Sequence, residues 1–254
     1  MNLGWKRDKP SDDDRHISER LGLSLGSVPE SASIRQHVIS VLDQGGVQSC
    51  VSNAVAQAIR ICQRVQGVQT PPLLSRLALY SWARAFDGEQ TIDGGTRVRN
   101  AWLAMAKLGF PRETAWPYDE AAVNQPVPLE AVRESVDQRY ALGGFFRIPS
   151  VGASLASYIR KAITEQHPVV FGTRVDNAIM TLPAGTYYRR TSPEVGGHAL
   201  CIVGYTPDGV EVANSWGPLW SDGGFGLVSW EQILSDDADD FWVPTLAPLL
   251  DGAA

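Results

Sequence analysis

Cys50, His198 and Asn214 lie far apart in the chain, yet together they supply a thiol nucleophile, an imidazole proton carrier and an amide that can orient the imidazole. Gln44 stands six residues before Cys50, across two glycines and a serine, and sixteen residues separate His198 from Asn214. Each residue has a plain reading by itself. Free cysteines are mostly small, buried and inert. A histidine in an apolar strand is usually a satisfied core residue, a glutamine beside two glycines stabilises a turn, and an asparagine before a tryptophan is a turn residue. Taken as a set, they point to nucleophilic chemistry at a carbonyl.

Such a set must be positioned by elements, and the sequence proposes them. After Cys50, apolar residues recur at Val51, Ala54, Val55, Ala58, Ile59 and Cys62, which is helical spacing and puts the thiol in the first turn. The helix dipole and unpaired N–H groups there favour thiolate over thiol. His198 opens an apolar strand, Gly196 to Tyr205, and Asn214-Ser-Trp-Gly217 follows a second short strand, Gly209 to Asn214. Further helices are expected over Leu73 to Phe86, from Thr96 as cap through Leu108 to Gly109, over Leu129 to Tyr140 and over Val151 to Glu165. From Leu142 onward the signals become short aromatic or β-branched strands bounded by Gly or Pro: 143–148, 168–174, 185–190, 199–205, 209–214 and 224–230. A helical half followed by a strand-rich half is an α+β protein.

Gln44…Ser49-Cys50, Gly197-His198-Ala199 and Asn214-Ser215-Trp216-Gly217 resemble, in order and internal spacing, the three signature blocks of the papain/cathepsin family of cysteine peptidases, most of all its short bacterial type. Asp93-Gly-Gly95, Ala115-Trp-Pro-Tyr118 and Ala184-Gly-Thr-Tyr187 are lesser echoes, and the resemblance runs from about Pro29 to Trp230. It implies a papain-like two-lobe fold, with a helical lobe at about 44–140, an antiparallel β-barrel-like lobe at about 141–254, and the active-site cleft between them. It also implies endopeptidase activity on extended peptide or protein substrates through a thioester. Cys50 would be the nucleophile, its pKa lowered by the helix terminus and by His198 as imidazolium. His198 would be the proton carrier and Asn214 its orienting group, with Trp216 covering that bond. Gln44 and the Cys50 N–H would form the oxyanion hole. Gly94 and Gly95 would hold substrate as an added strand, and Thr96, Arg97 and Ala199 would border the pocket for the residue one before the cleaved one, where Arg97 would favour an acidic or polar side chain.

The chain departs from the family at Val47, usually a cysteine; at Gln48, usually small; at Val51, often Trp; and at Gly197, often Asp or Asn. None is a catalytic group. An exopeptidase, a deamidase or transpeptidase on the same fold, and a peptide-binding relative without turnover all remain open, although the last usually lacks one of the catalytic set.

The 254 residues are 44% apolar and 20% charged with a net charge of −6, ordinary for a globular domain and without the basic cluster a nucleic-acid partner demands. No apolar run approaches the roughly 18 residues of a membrane span, and the N-terminus lacks a secretory h-region. With three cysteines, of which Cys62 and Cys201 read as core thiols, a reducing cytoplasmic setting and a monomer are expected. No cofactor or metal is implied, since no His/Cys/Asp cluster has ligand spacing; His16, His37 and His167 fit no motif. Residues 1–35 form a polar leader ahead of the peptidase domain, 36–254. Composition alone describes a flexible tail. The resemblance suggests instead a segment lying over the cleft, which roughly 120 Å of extended chain can cross.

Overall fold

The computed structural model describes residues 2–9, 11–21, 27–137, 142–149 and 154–247. Its helices are a turn α1 (Ser18–Leu21), α2 (Cys50–Val65), α3 (Arg76–Ala85), α4 (Val98–Leu108), α5 (Leu129–Asp137), α6 (Leu155–Thr164) and a turn α7 (Trp230–Ile233). The strands are β1 (Ala32–Ser33), β2 (Leu142–Ile148), β3 (Val169–Val175), β4 (Tyr187–Tyr188), β5 (Gly196–Tyr205), β6 (Gly209–Ala213), β7 (Phe225–Ser229) and β8 (Ala238–Leu246). The C-terminal end of the expected Leu129 helix and the start of the Val151 helix lie outside the described residues.

α2 is the pivot. Its first ten residues, Cys50 to Ile59, are all buried, with polar Ser52, Asn53 and Gln57 among them, so it is enclosed all round rather than along one stripe, the mark of a helix inside a core. It packs on α3 and α4 on one side and on β3, β5 and β8 on the other, which makes it the element shared by both lobes. It ends where Gly67 takes a left-handed turn, φ 93°. The N-cap of α4 falls one residue later than expected: it is Arg97, which makes no side-chain cap bond, while the Thr96 hydroxyl is buried with no hydrogen-bond partner among the described residues. The Thr96 backbone is engaged elsewhere, as described below.

The sheet runs β2-β8-β3-β5-β6-β7-β4, with β1 on β5. All neighbours are antiparallel except β4 and β7, which pair in parallel, so the strand-rich lobe is not purely antiparallel as expected. β8 is absent from the sequence reading, which stops at Trp230, yet it is paired on both sides, between the edge strand β2 and β3. Asp239, Asp240 and Pro244 disguise it. The register shifts at Val170/Gly172, opposite this stretch, and Asp240 there adopts φ 57°, a bulge that bends the strand and aims an acidic side chain inward. The core is continuous across both halves, from Trp102 and Ile59 to Phe171, Phe241 and Trp242.

The described residues of the leader pack on this body. The Lys6 N–H donates to Thr96 O (3.0 Å), the Thr96 N–H to Gly4 O (2.8 Å) and the Trp5 N–H to Gly197 O (3.0 Å). Further on, the Arg147 N–H donates to Arg15 O (2.7 Å) and the Ile17 N–H to Arg147 O (2.9 Å), so the leader adds itself to the β2 edge, and Ile17 is fully buried. A polar composition concealed this because the segment is held mainly by its backbone, which composition does not register.

Candidate active site

Cys50 opens α2 and is completely buried. Its sulfur receives the N–H groups of Ala199, of Gly4 in the leader, of Val51 and of its own residue. All four favour the thiolate, but burial outweighs them and pushes the thiol up to about 11. The expectation of a lowered thiol pKa therefore does not hold while the leader is seated. The helix-end effect is present, but it is smaller than the cost of a charge sealed from water.

His198 enters on β5, immediately before the Ala199 whose N–H meets Cys50, and it is also fully buried. Its ring stacks on Trp216 with centroids 4.3 Å apart and planes 21° apart. Its Nε2 lies 2.7 Å from Asn214 Oδ1. That oxygen also accepts the Ser215 N–H at 2.7 Å, which fixes it as the amide's acceptor end, so Nε2 carries the proton. Nδ1 is then the bare nitrogen, and it has no hydrogen-bond partner among the described residues. Burial pushes the imidazole down to about 4, partly opposed by Asn214. The arrangement holds a neutral thiol and a neutral imidazole with its free lone pair available.

Gln44 is oriented by the same reasoning. The Ser215 hydroxyl donates to Gln44 Oε1 (2.6 Å), so the Nε2 end is turned away from Ser215, toward Val47 O (2.8 Å) and the leader carbonyl of Asn2 (2.9 Å). Its main chain is clamped at both ends: Gln44 N–H donates to Ser215 O (2.9 Å), and the Tyr118 hydroxyl donates to Gln44 O (2.9 Å). Tyr118 also bonds Ser49 Oγ (2.6 Å), the residue before the nucleophile. The Arg76 guanidinium lies over the Tyr118 ring (4.0 Å to the centroid) and donates to Asp43 O and Asn53 Oδ1, both at 2.9 Å. This network ties the loop from Asp43 to Ser49 to the helical lobe.

The expected groove residues gather around the leader. Gly95 and Thr96 flank Gly4, while Gly94 lies near the Lys6 ammonium. Ala199 sits beside Cys50, and Trp216 covers His198. A Cβ on Gly95 would stand 2.1 Å from Gly4 O, and one on Gly4 would stand 1.9 Å from Gln48 O, so this approach needs glycine on both sides. Arg97 does not serve as expected: it pairs with Asp87 and donates to Arg7 O (3.1 Å), leaving no guanidinium free to attract an acidic residue.

Sequence reading missed Asn2, Gly4 and Trp5 over the site, and Gly172 and Asp240 beneath it. The Trp5 ring lies where a Cβ on Gly172 would be, 2.0 Å from it, and its indole N–H donates to Asp240 Oδ2 (2.9 Å). One signal existed: a tryptophan in an otherwise polar leader needs an apolar seat and a partner for its N–H.

The model of the papain family cysteine proteases matches residues 28–234. An uncharacterized peptidase C1-like protein, L477, of Acanthamoeba polyphaga mimivirus is 28% identical over 216 residues, 81% of this chain and 69% of that protein. Cathepsin B-like CP2 of Giardia intestinalis is 27% identical over 211 residues, 78% and 68% respectively. Among solved structures, xylellain, a cysteine protease from Xylella fastidiosa, has a TM-score of 0.85 at 24% identity and covers 97% of this chain and 96% of that one. ProCathepsin B S9 from Trypanosoma congolense has a TM-score of 0.76 at 18% identity, covering 97% and 86%. These two structures share the two-lobe fold, and the family model extends over most of the sequence. The chain belongs to the papain family of cysteine proteases and is a cysteine peptidase, a hydrolase of peptide or protein substrates.

Proposed function

We propose that this peptidase is an endopeptidase whose own leader occupies the cleft, and that Cys50, His198, Asn214 and Gln44 perform the chemistry once the leader moves away. The observation that carries the reading is the seating of the leader on Cys50, on Gln44 and on the backbone beside them. Gly4 N–H meets the Cys50 sulfur, Asn2 O sits on Gln44 Nε2, and Trp5 and Lys6 pair with Gly197 and Thr96. A peptide substrate needs those same donors and acceptors, so leader and substrate exclude one another.

The chemistry follows from the geometry. Removing the leader readmits water and relieves the burial that keeps both groups neutral. The thiol proton then passes to the bare Nδ1 of His198, giving thiolate and imidazolium. The thiolate attacks the scissile carbonyl, forming a carbon–sulfur bond, while the carbonyl oxygen takes the negative charge and lies against Gln44 Nε2–H and the Cys50 N–H. The imidazolium gives its proton to the departing amine as the C–N bond breaks, leaving a thioester. A water molecule, deprotonated by His198, adds to the thioester carbonyl; the C–S bond then breaks, the carboxylic acid product leaves, and the His198 proton returns to sulfur. Throughout, Asn214 holds the imidazole tilt and Trp216 shields their bond.

The test is the rate of cleavage of a panel of fluorogenic peptides by the full chain and by its Trp5→Ala variant. A higher kcat/KM in the variant with the same ranking of substrates supports a leader gate. Equal rates overturn the gate. If neither form cleaves any internal peptide bond while an epoxysuccinyl reagent still labels Cys50, the endopeptidase reading falls.

A further inference from the structure

Beside Cys50, two separate pieces of chain face each other across the groove. Gln48, two residues before the nucleophile, forms one wall, and Gly95, next to the Thr96 backbone that pairs with Gly4 and Lys6, forms the other. A Cβ on Gly4 would stand 1.9 Å from Gln48 O, and one on Gly95 would stand 2.1 Å from Gly4 O, so the passage is one glycine backbone wide. The same acid is tied to both walls. The Gln48 N–H donates to the Asp93 carboxylate, 3.1 Å from Oδ1 and 3.3 Å from Oδ2, and the Gln48 side-chain amide donates to Asp93 O (2.7 Å). The Tyr80 hydroxyl donates to Asp93 Oδ1 (2.7 Å) and itself accepts the Gly95 N–H (2.9 Å). Tyr80 stands on α3 and is fully buried. The Arg84 guanidinium lies over its ring, 4.1 Å from the centroid, and donates to Ile92 O, so the acid rests on a fixed base.

Elsewhere the loop from Asp43 to Ser49 is held by Arg76 and Tyr118 of the helical lobe, by Ser215, and by Glu120 Oε2 at the Gly46 N–H (2.8 Å). Those contacts fix the loop on the body. Asp93 fixes it relative to the segment across the groove. Resting on the reading of Cys50 as nucleophile and of Thr96 as the segment that pairs with substrate, but not on the leader gate, we propose that Asp93 is a positioning residue for catalysis: its carboxylate registers the nucleophile loop against the substrate-holding segment. A hydrogen bond to a carboxylate is roughly twice as strong as a neutral one. Rigid peptide planes carry a shift at the Gln48 N–H to the Cys50 N–H two residues on, where a misplacement of about 1 Å costs on the order of 10² in rate. Asparagine at 93 keeps an acceptor oxygen for both donors, whereas alanine keeps neither. Tyr80→Phe leaves the bond to Gln48 and cuts only the tie to Gly95.

The test measures kcat and KM of the full chain and of Asp93→Ala, Asp93→Asn and Tyr80→Phe on one extended fluorogenic peptide, each with and without Trp5→Ala. The rate of Cys50 labelling by an epoxysuccinyl peptide and urea unfolding are followed in the same chains. Asp93→Ala should lower kcat by about ten- to a hundredfold, and Asp93→Asn should recover it to within about threefold of the parent. Tyr80→Phe should raise KM with kcat nearly unchanged. These ratios should be the same in the Trp5→Ala background; ratios that vanish there mean that Asp93 acts only through the leader and overturn the inference. So does an Asp93→Ala chain with the parent's kcat, an asparagine no better than alanine, or a fall in kcat with Tyr80→Phe as large as with Asp93→Ala. Should Asp93→Ala fail to fold, equal losses of kcat in Asp93→Asn and Tyr80→Phe overturn it, and a kcat loss with the first against a KM rise with the second upholds it. Absence of cleavage by every chain, parent included, overturns the endopeptidase reading instead. The labelling rates then decide alone: a fall from parent through Asp93→Asn to Asp93→Ala upholds the inference, and equal rates overturn it.

Discussion

Two amide side chains in this site have their ends fixed by neighbouring donors. Ser215 Oγ holds Gln44 Oε1 and Ser215 N–H holds Asn214 Oδ1, so a single residue orients both the proposed oxyanion donor and the histidine's partner. Gln44→Ala should lower kcat by on the order of 10²–10³ with little change in KM, since its Nε2–H is used most where charge develops. Tyr118→Phe removes one hydroxyl that ties Gln44 O to Ser49 Oγ. Its effect should be smaller, about tenfold in kcat, and an equal weakening of a peptide aldehyde that mimics the tetrahedral state should accompany it. Cys50 alkylation in the Tyr118→Phe chain should match the parent. A parallel loss of alkylation would mean that Tyr118 acts on the thiol rather than on the oxyanion loop.

At the scale of elements, the leader behaves as a strand supplied from within, and it is admitted by glycine. Gly4→Ala leaves the leader's charges and its tryptophan intact but drives a methyl into Gln48 O at 1.9 Å, a backbone atom that cannot step aside. The expected result is increased turnover and faster cutting of the leader by an added protease, with thermal unfolding of the body nearly unchanged. Unchanged turnover would show that the strand is not what limits access. The body depends instead on α2, the helix shared by both lobes. Ile59→Ala, in a fully buried position on it, should cost about 2–5 kcal/mol in urea unfolding by opening a cavity in the core.

Across the whole molecule, the proposed gate ties the protonation of the site to the leader. With it seated, the thiol lies at about 11 and the imidazole at about 4, so only about one molecule in ten thousand carries the thiolate at pH 7. Iodoacetamide labelling of the full chain should be slow at neutral pH and should climb steadily as pH rises toward the thiol value. In Trp5→Ala it should be fast and nearly flat across neutrality, as a thiolate–imidazolium pair gives. Matching profiles would show that burial by the leader is not what holds the proton on sulfur.

The residue types of the site, the order of its blocks, the helix behind Cys50 and the α+β arrangement were legible in the sequence, because each rests on local spacing: six residues, sixteen residues, a helical period. Three features were not. β8 is paired on both sides despite two aspartates and a proline, because a bulge and the ion pairs to Arg147 absorb what its composition disfavours. The Cys50 thiol is pushed up rather than down despite its place at a helix start, because burial outweighs the N–H groups there. The leader is bound despite a composition that suggests a tail, because its hold comes from backbone pairing with Thr96, Gly197 and Arg147 and from the Asp240 carboxylate, which accepts the Asp8 N–H and the Trp5 indole N–H. The sequence determined which groups are available for chemistry. Only the tertiary structure decided which of them are covered and which carry a proton, since both depend on residues brought together from distant parts of the chain.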